Sequence, residues 1–277
     1  MRSKLLLMRS IFRKSILCVA VCGVLCARPS QEIESLSPLA NAYFTIETRT
    51  IGEYKIFIAK PKTNATKYPA LVVLDGNAHF PIVINQYIMH QYTPTDSPLL
   101  IVGIGYKGDL AYDIPRRTRD YTPVAKDGKG GGAARFYEVL RTQILPLVRD
   151  DVGGELSAIG FFGHSFGGLF GLYVFLHHQE MFSHYMIASP SLWWGDVEMP
   201  NSLVCGARLA FSHGANEPNK GGMSLTEFIK ALSVQCPEMC ASVRVFAGGH
   251  GDSIRPSIVL MLSELLGGEG FGECQEI

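Results

Sequence analysis

The sequence carries no excess of charge of either sign, no internal repeat and no linker between domains. Its 25 Lys and Arg residues balance 25 Asp and Glu residues, which gives a formal net charge of +0. This balance argues against nucleic acid or an anionic membrane surface as the main partner, because both attract clusters of basic side chains. Charged residues are few, at 18%, whereas hydrophobic residues make up 47% of the 277 residues. Such a composition can fill a sizeable core and is not typical of a disordered chain.

Cysteine pairs with the spacing of zinc sites are also missing, and neither a metal nor another cofactor is predicted. Of the seven cysteines, three lie before residue 28. The other four are Cys205, Cys236, Cys240 and Cys274. An even number in an exported protein is compatible with two disulfides in any of three pairings, and free buried thiols are the alternative.

A long apolar run is absent as well, because the stretch 16–25 is too short to cross a bilayer with ease. Basic residues precede it, and small residues suited to cleavage follow at Cys26-Ala27. This pattern predicts a signal peptide over residues 1–27, a linker over 28–41 and a periplasmic or secreted protein. An uncleaved signal anchor is the alternative, and the membrane would then be a partner only through this segment.

Strand-like and helix-like segments alternate along the rest of the chain. The alternating stretches 42–48 and 54–59 predict an antiparallel hairpin at a sheet edge. Continuous apolar runs predict further strands at 69–74, 99–104, 157–159, 184–188, 207–211 and 243–246, and helices are predicted at 82–92, 134–148, 169–176, 225–234 and 254–266. This order predicts an α/β fold with a mainly parallel sheet and helices on both faces. Residues 106–133 contain no clear element and are interpreted as a lid or binding loop.

One glycine-rich turn between a predicted strand and a predicted helix carries the motif Gly163-x-Ser165-x-Gly167. In this context the motif predicts a nucleophile elbow that presents the Ser165 hydroxyl above the sheet edge. The alternative is a tight glycine turn with an exposed serine. In an elbow, the Phe166 amide would face the oxyanion. The loop after the strand 69–74 would supply a second amide from Asn77, unless it is an ordinary turn.

A serine hydroxyl needs a base, and His250 is the best candidate because it follows the last predicted strand among glycines. Glu217 lies after the preceding strand, where an acid that orients the histidine belongs. Asp196 and Asp252 are its rivals, and a serine–histidine dyad without an acid stays open.

The loop 106–133 and the stretch after the strand 184–188 contribute side chains that suit an aromatic, anionic substrate. Arginine forks match delocalised anionic oxygens, and indole faces match flat rings. The candidates are Arg116, Arg117, Trp193 and Trp194. The structural alternative is that the arginines pair with Asp113 and Asp120 and that the tryptophans belong to the core.

Five motifs follow one another between about residue 43 and residue 265: Leu74-Asp75-Gly76-Asn77, Arg117-x-x-Asp120-Tyr121-Thr122-Pro123, Gly163-His164-Ser165-Phe166-Gly167-Gly168, Ser189-Pro190-Ser191-Leu192-Trp193-Trp194 and Gly249-His250-Gly251. Together they resemble the "putative esterase" family of α/β-hydrolases, and within it the periplasmic siderophore (salmochelin and enterobactin trilactone) esterases. The resemblance implies a nucleophile at Ser165, a base at His250 and an oxyanion hole at Asn77 and Phe166. Some members of the siderophore branch work with a serine–histidine dyad, so the resemblance does not decide whether Glu217 is the acid. The four later cysteines and the glycine run 128–132 lie outside the resemblance.

We therefore predict a single α/β-hydrolase domain over residues 42–277 that hydrolyses a small-molecule carboxylic ester through an acyl-serine intermediate. A catecholate trilactone of the siderophore type is the favoured substrate. The alternatives are a feruloyl-type or general esterase, an acyltransferase in which an alcohol replaces water, and a catalytically silent binding protein on the same scaffold.

Overall fold

A computed structural model describes residues 29–152, 154–195, 197–237, 239, 241–268 and 270–271. The predictions for the signal peptide and for Asp196, Cys240 and Cys274 fall outside these residues. Within the part that is described, no helix is both long enough and apolar enough to cross a membrane.

The strands and helices follow the predicted alternation. The strands are β1 (Phe44–Ile51), β2 (Tyr54–Pro61), β3 (Lys67–Leu74), β4 (Leu100–Tyr106), β5 (Ala125–Lys126), β6 (Lys129–Gly130), β7 (Glu155–His164), β8 (His184–Ala188), β9 (Arg208–Gly214) and β10 (Ala241–Phe246). The helices are α1 (Ala40–Tyr43), α2 (Gly76–Met89), α3 (Ile114–Tyr121), α4 (Ala133–Val139), α5 (Leu145–Val152), α6 (Phe166–His177), α7 (Leu225–Gln235) and α8 (Ile254–Leu265). A π-helical turn over Leu140–Ile144 joins α4 to α5, and short 3₁₀ turns cover Gln179–Met181 and Leu192–Trp194.

The main sheet of the described residues has eight strands in the order β1-β2-β4-β3-β7-β8-β9-β10. β1 pairs antiparallel with β2, and β2 pairs antiparallel with β4. The neighbours from β4 to β10 pair in parallel. The predicted edge hairpin and mainly parallel sheet are confirmed. Because the parallel strands run the same way, the loops that follow β3, β7, β8, β9 and β10 meet at one edge.

Helices cover both faces of this sheet. On one face, Phe136, Phe170 and Phe228 from α4, α6 and α7 pack in one core cluster. On the other face, Val83 of α2 and Met261 of α8 pack in a second. The central strand β4 is buried along its whole length, which explains its continuous apolar run.

Besides the short α1, which was not predicted, α3 and α2 differ from the prediction. α3 lies within residues 106–133, where no element was expected, because its sequence is short and mostly polar. Its start was nonetheless encoded: the Asp113 side chain accepts a hydrogen bond from the Arg116 amide at 3.0 Å, and a proline follows in the first turn. α2 begins at Gly76 instead of near residue 82, and Pro81 lies inside it. A proline inside a helix usually interrupts it, so the sequence predicted that this helix begins only after Pro81.

The segment 29–41, predicted as a linker, packs on the domain. The Gln31 side chain donates to the Tyr112 carbonyl at 3.2 Å and accepts from the Tyr112 amide at 3.2 Å. Glu34 pairs with Arg255 of α8 and accepts a hydrogen bond from Asn85 of α2 at 2.6 Å. The segment therefore contacts two helices, α2 and α8, on one face of the sheet.

A disulfide joins Cys205, before β9, to Cys236, at the end of α7, with the two Cα atoms 5.8 Å apart. This bond is one of the pairings that the sequence left open. It closes a loop with a sequence separation of 31.

Replacing both Cys205 and Cys236 with serine should lower the free energy of unfolding by about 2–4 kcal/mol, because the bond restricts the unfolded chain. Urea denaturation of the wild-type and double-variant proteins without reductant measures the difference. Equal midpoints would contradict a stabilising disulfide.

Candidate active site

The predicted nucleophile elbow stands where β7 ends and α6 begins. Ser165 connects His164 of β7 to Phe166 of α6 with φ 60° and ψ −117°. Non-glycine residues rarely adopt a positive φ, and such backbone strain concentrates at functional sites. A Cβ at Gly163 would lie only 2.2 Å from the Gly167 carbonyl oxygen. Close packing of the strand end against the first turn of α6 therefore requires a glycine at position 163, whereas a Cβ at Gly167 would meet no atom nearer than 3.5 Å.

The Ser165 hydroxyl has a partner that the sequence did not indicate. Its Oγ lies 3.1 Å from the Oγ of Ser191, a buried residue in the loop after β8. The Ser191 amide also donates to the Ser165 carbonyl at 3.2 Å. Ser165 Oγ makes this contact instead of a hydrogen bond to His250 among the described residues. A hydrogen bond between the two side chains must therefore form before a histidine base can take the hydroxyl proton.

His250 and Glu217 form a hydrogen-bonded pair at the same sheet edge. The His250 Nδ1 lies 2.9 Å from the Glu217 Oε2. Of the two rival acids, Asp252 instead accepts from the Gly249 amide at 2.7 Å, and Asp196 lies outside the described residues. An acid bound to Nδ1 holds the imidazole in one orientation and leaves Nε2 available for a hydroxyl.

Glu217 is itself held on its other oxygen. Its Oε1 accepts from the Ser189 hydroxyl at 2.5 Å and from the Gly214 amide at 2.6 Å. Partial burial alone would raise the pKa of Glu217, but the hydrogen bonds from His250, Ser189 and Gly214 outweigh it and lower that pKa. The carboxylate is therefore ionised at neutral pH.

Ser189, which the sequence reasoning also missed, adopts a positive φ of 45° directly after β8. Its hydroxyl reaches both Glu217 and the Ser253 Oγ, which lies 2.8 Å away. A strained, buried serine between two loops is a feature that only the tertiary structure reveals. Its sequence signals were its position at the end of a strand and its place in the motif 189–194, and neither indicates its partners.

The two predicted amide donors lie in the first turns of two helices. Phe166 is the first residue of α6, and Asn77 is the second residue of α2. Amides in the first turn of a helix have no acceptor within that helix, and the helix dipole favours negative charge there. The Asn77 side chain is fixed separately, since its Oδ1 accepts from the Tyr106 amide at 3.0 Å and its Nδ2 donates to the Tyr106 carbonyl at 3.1 Å.

A buried ion pair between Asp75, which precedes α2, and Arg117 of α3 lies next to the elbow. Arg117, only 5% exposed, donates from Nε to Asp75 Oδ1 at 2.9 Å and from Nη2 to Asp75 Oδ2 at 2.8 Å. Its Nη2 also lies 3.5 Å from the His164 carbonyl oxygen, and its guanidinium carbon lies 5.4 Å from the Phe166 ring centroid. Burial would lower the pKa of Arg117, but Asp75 raises it above its ordinary value, so the group stays charged. Arg117 and Asp75 thus form a buried, net-neutral ion pair whose guanidinium end lies beside the elbow.

The neighbouring arginines have acidic partners within the protein, as the structural alternative predicted. Arg116 contacts Asp113 at 3.3 Å and Glu53 at 3.4 Å. Arg119 contacts Asp120 at 2.7 Å and Glu53 at 2.6 Å. Arg116 therefore has partners within the protein, and its role as a substrate ligand stays a prediction.

The two tryptophans differ in environment. Trp194 is 8% exposed and donates from Nε1 to the Val124 carbonyl at 2.9 Å, so it belongs to the core, as the alternative stated. Trp193 instead lines a cavity together with Ser191, Glu217, Met223 and His250. The hydrogen-bonded pair of His250 and Glu217 thus lines this cavity, as does Ser191, the hydrogen-bonding partner of Ser165.

Two cations approach the Trp193 ring from different loops. The Lys126 Nζ lies 5.7 Å from its centroid, and the Lys220 Nζ lies 5.0 Å from it. Lys126 belongs to the small β5–β6 hairpin, and Lys220 follows β9. In the described residues, no cluster of three or more His, Cys, Asp or Glu side chains could hold a metal ion.

The chain is similar to known esterases. The model of the family described as "Putative esterase" matches residues 48–219. The sequence is 33% identical over 248 residues to the ferri-bacillibactin esterase BesA of Bacillus subtilis (strain 168), covering 77% of this chain and 83% of that protein. It is 35% identical over 155 residues to the apo-salmochelin esterase of Escherichia coli O6:H1 (strain CFT073), covering 51% of this chain and 48% of that protein. The match thus spans about half the length of the latter relative.

A solved structure of the enterobactin hydrolase IroE in complex with DFP superposes with a TM-score of 0.65 at 27% sequence identity. The match covers 83% of this chain and 99% of that one. The strand order, the strained elbow and the hydrogen-bonded pair described above therefore lie within a shared fold.

Proposed function

Because the chain belongs to the "Putative esterase" family, we propose that it is a serine carboxylic-ester hydrolase whose nucleophile is Ser165 and whose base is His250. The observation that carries this proposal is the hydrogen bond between His250 and Glu217 beside a serine in a strained elbow. Glu217 is then the third member of a triad, in the chain order serine, acid, histidine.

The reaction begins when the Ser165 hydroxyl turns from Ser191 to His250. His250 Nε2 accepts the Ser165 proton while Oγ bonds to the acyl carbon, and the carbonyl electron pair moves onto its oxygen. Collapse of this intermediate breaks the bond to the alcohol, which takes the proton from His250. A water then gives its proton to His250 and attacks the acyl-serine, and the carboxylic acid leaves as Ser165 regains a proton.

Three groups would stabilise the oxyanion in both steps. The amides of Asn77 and Phe166 lie at the starts of α2 and α6, where negative charge is favoured. The third group is the buried Arg117–Asp75 pair, a dipole that two hydrogen bonds hold in one orientation with its guanidinium end beside the elbow. Because the pair is buried, its field acts with little screening by solvent. We therefore propose that Arg117 acts on the reacting carbonyl group and does not bind the outer part of the substrate.

The substrate that we propose is a siderophore ester of the catecholate trilactone type. The names of the related salmochelin and bacillibactin esterases support this class. In this chain, the support is the cavity beside the triad, in which the Trp193 face suits a flat aromatic ring. Lys126 and Lys220 beside that ring favour a negative charge on the bound group. Export through a signal peptide over residues 1–27 remains a prediction.

Glu217→Gln should lower kcat roughly 10² to 10⁴-fold, because glutamine keeps the shape but cannot stabilise the imidazolium. Asp252→Asn is the matched control, since that carboxylate bonds within its own loop. Stopped-flow and steady-state rates with an activated ester measure both. A change below threefold for Glu217→Gln would indicate a serine–histidine dyad.

Trp193→Ala should lower kcat/KM for a tri-catecholate trilactone about tenfold, because the stacking surface is lost, and should change p-nitrophenyl butyrate less than threefold. Methyl ferulate, with one ring and little charge, should fall between the two. Arg117→Ala should slow all three esters together, because every ester develops an oxyanion. If the trilactone is the slowest substrate of the wild-type protein and Trp193→Ala leaves its rate unchanged, the siderophore proposal is wrong and a general esterase remains.

A further inference from the structure

His164 has a polar contact that the reaction as described does not use. It is the last residue of β7 and directly precedes Ser165. Its Nε2 lies 2.7 Å from the backbone carbonyl oxygen of His250, and the two imidazole rings are 4.6 Å apart. A carbonyl oxygen can only accept, so Nε2 carries the proton of the His164 ring.

The His164 ring is neutral in this position. It is 5% exposed, and its burial lowers its pKa well below the ordinary value, with a further lowering by the nearby His250. A neutral donor can hold the His250 backbone without placing a second positive charge beside the imidazolium that forms during the reaction. This separates His164 from a general base, which must gain a proton.

The loop that carries His250 needs such an anchor. Gly248, with φ 103°, Gly249 and Gly251 surround the histidine, and glycines leave a backbone free to adopt many conformations. The Asn216 amide holds the Gly248 carbonyl at 2.8 Å, on one side of the histidine. At His250 itself, the described donors to the carbonyl are Ser253 Oγ at 3.2 Å and His164 Nε2 at 2.7 Å. Of these two, only His164 comes from the strand that carries the nucleophile.

We propose that His164 is a positioning residue that sets the distance between Ser165 and His250. It is bonded covalently to the nucleophile residue and by a short hydrogen bond to the backbone of the base, so it fixes one against the other. This inference rests on the proposed function only in assigning Ser165 and His250 their roles. Catalytic rates depend steeply on such placement, since an error of about 1 Å can cost roughly 100-fold.

The test compares His164→Leu, which removes the donor, with His164→Gln, whose side-chain amide can donate to the same carbonyl. We expect kcat for p-nitrophenyl butyrate to fall about 10- to 100-fold in His164→Leu with KM changed less than threefold. His164→Gln should recover most of that loss. His184→Leu is the matched control, because His184 starts β8 and contacts Glu264 outside the site. Thermal unfolding identifies any variant that fails to fold.

Two further measurements do not depend on ester turnover. The rate at which a small organophosphate modifies Ser165 should fall in parallel with kcat. Crystal structures of wild type and His164→Leu should show His250 displaced in the variant.

Three outcomes would overturn the proposal. They are an unchanged His250 position, a kcat within threefold of wild type for His164→Leu, and equal losses for Leu and Gln, which would point to ring packing instead of the hydrogen bond. Failure of the proposed function looks different: the wild-type protein itself would neither hydrolyse esters nor react with the organophosphate.

Discussion

Ser165→Ala should lower ester turnover by roughly 10⁴ to 10⁶-fold, because without the hydroxyl no acyl-serine can form. The residual rate would come from binding and from the oxyanion donors, which the substitution leaves in place. Alanine also tolerates the positive φ of the elbow no better than serine does, so circular dichroism and thermal unfolding must accompany the kinetics.

Ser191→Ala is the matched control for this experiment. Its buried hydroxyl lies 3.1 Å from that of the half-buried Ser165. Loss of this hydroxyl removes one hydrogen bond, so we expect a change below tenfold. If Ser165→Ala retained turnover near the wild-type level, or if Ser191→Ala were the more damaging of the two, Ser165 would not be the nucleophile.

His250→Ala should cost about as much as loss of Ser165, because a serine hydroxyl is inert until a base accepts its proton and the two residues act as a unit. Consequently, the double variant should be little slower than either single variant. Initial rates with p-nitrophenyl butyrate over a wide range of enzyme concentration can measure effects of this size.

His213 offers the control for the base. It also lines the cavity, but its Nδ1 lies 3.1 Å from the Gly214 carbonyl oxygen, and no carboxylate contacts it among the described residues. His213→Ala should therefore have an effect at least 100-fold smaller than that of His250→Ala. If His250→Ala kept nearly the wild-type turnover, or if His213→Ala lost more turnover than His250→Ala, His250 would not be the base.

Local sequence patterns were sufficient for much of the architecture. The two alternating stretches form β1 and β2, and the continuous apolar runs form the parallel strands. A strand buried on one face alternates apolar and polar residues, whereas a strand buried on both faces is apolar throughout, so both patterns can be read from the sequence. Patterns failed where local signals conflicted. Gly76 and Pro81 hid the start of α2, and the polar composition of α3 hid a helix whose cap at Asp113 was present.

The elbow and its candidate base could also be found from sequence alone. The glycine at position 163 is required by a contact within a few residues of chain, because a Cβ there would meet the Gly167 carbonyl oxygen at 2.2 Å. His250 was recognisable from its place after the last strand, because parallel strands bring their carboxyl ends to one edge.

The partners of these residues were decided only by the tertiary structure. Glu217 and Asp252 are both loop carboxylates, but Glu217 forms the hydrogen bond to His250 whereas Asp252 accepts from the Gly249 amide. Arg117 could have faced solvent or Asp120, but it turns inward to Asp75, which precedes it by 42 positions in the sequence. Likewise, Ser189, Ser191 and His164 carry no motif that reveals their contacts. Turns and strands depend on neighbouring residues, whereas these hydrogen bonds and ion pairs depend on distances between segments remote in sequence. The sequence by itself therefore determined the positions of the proposed nucleophile and base, and the tertiary structure determined what holds them.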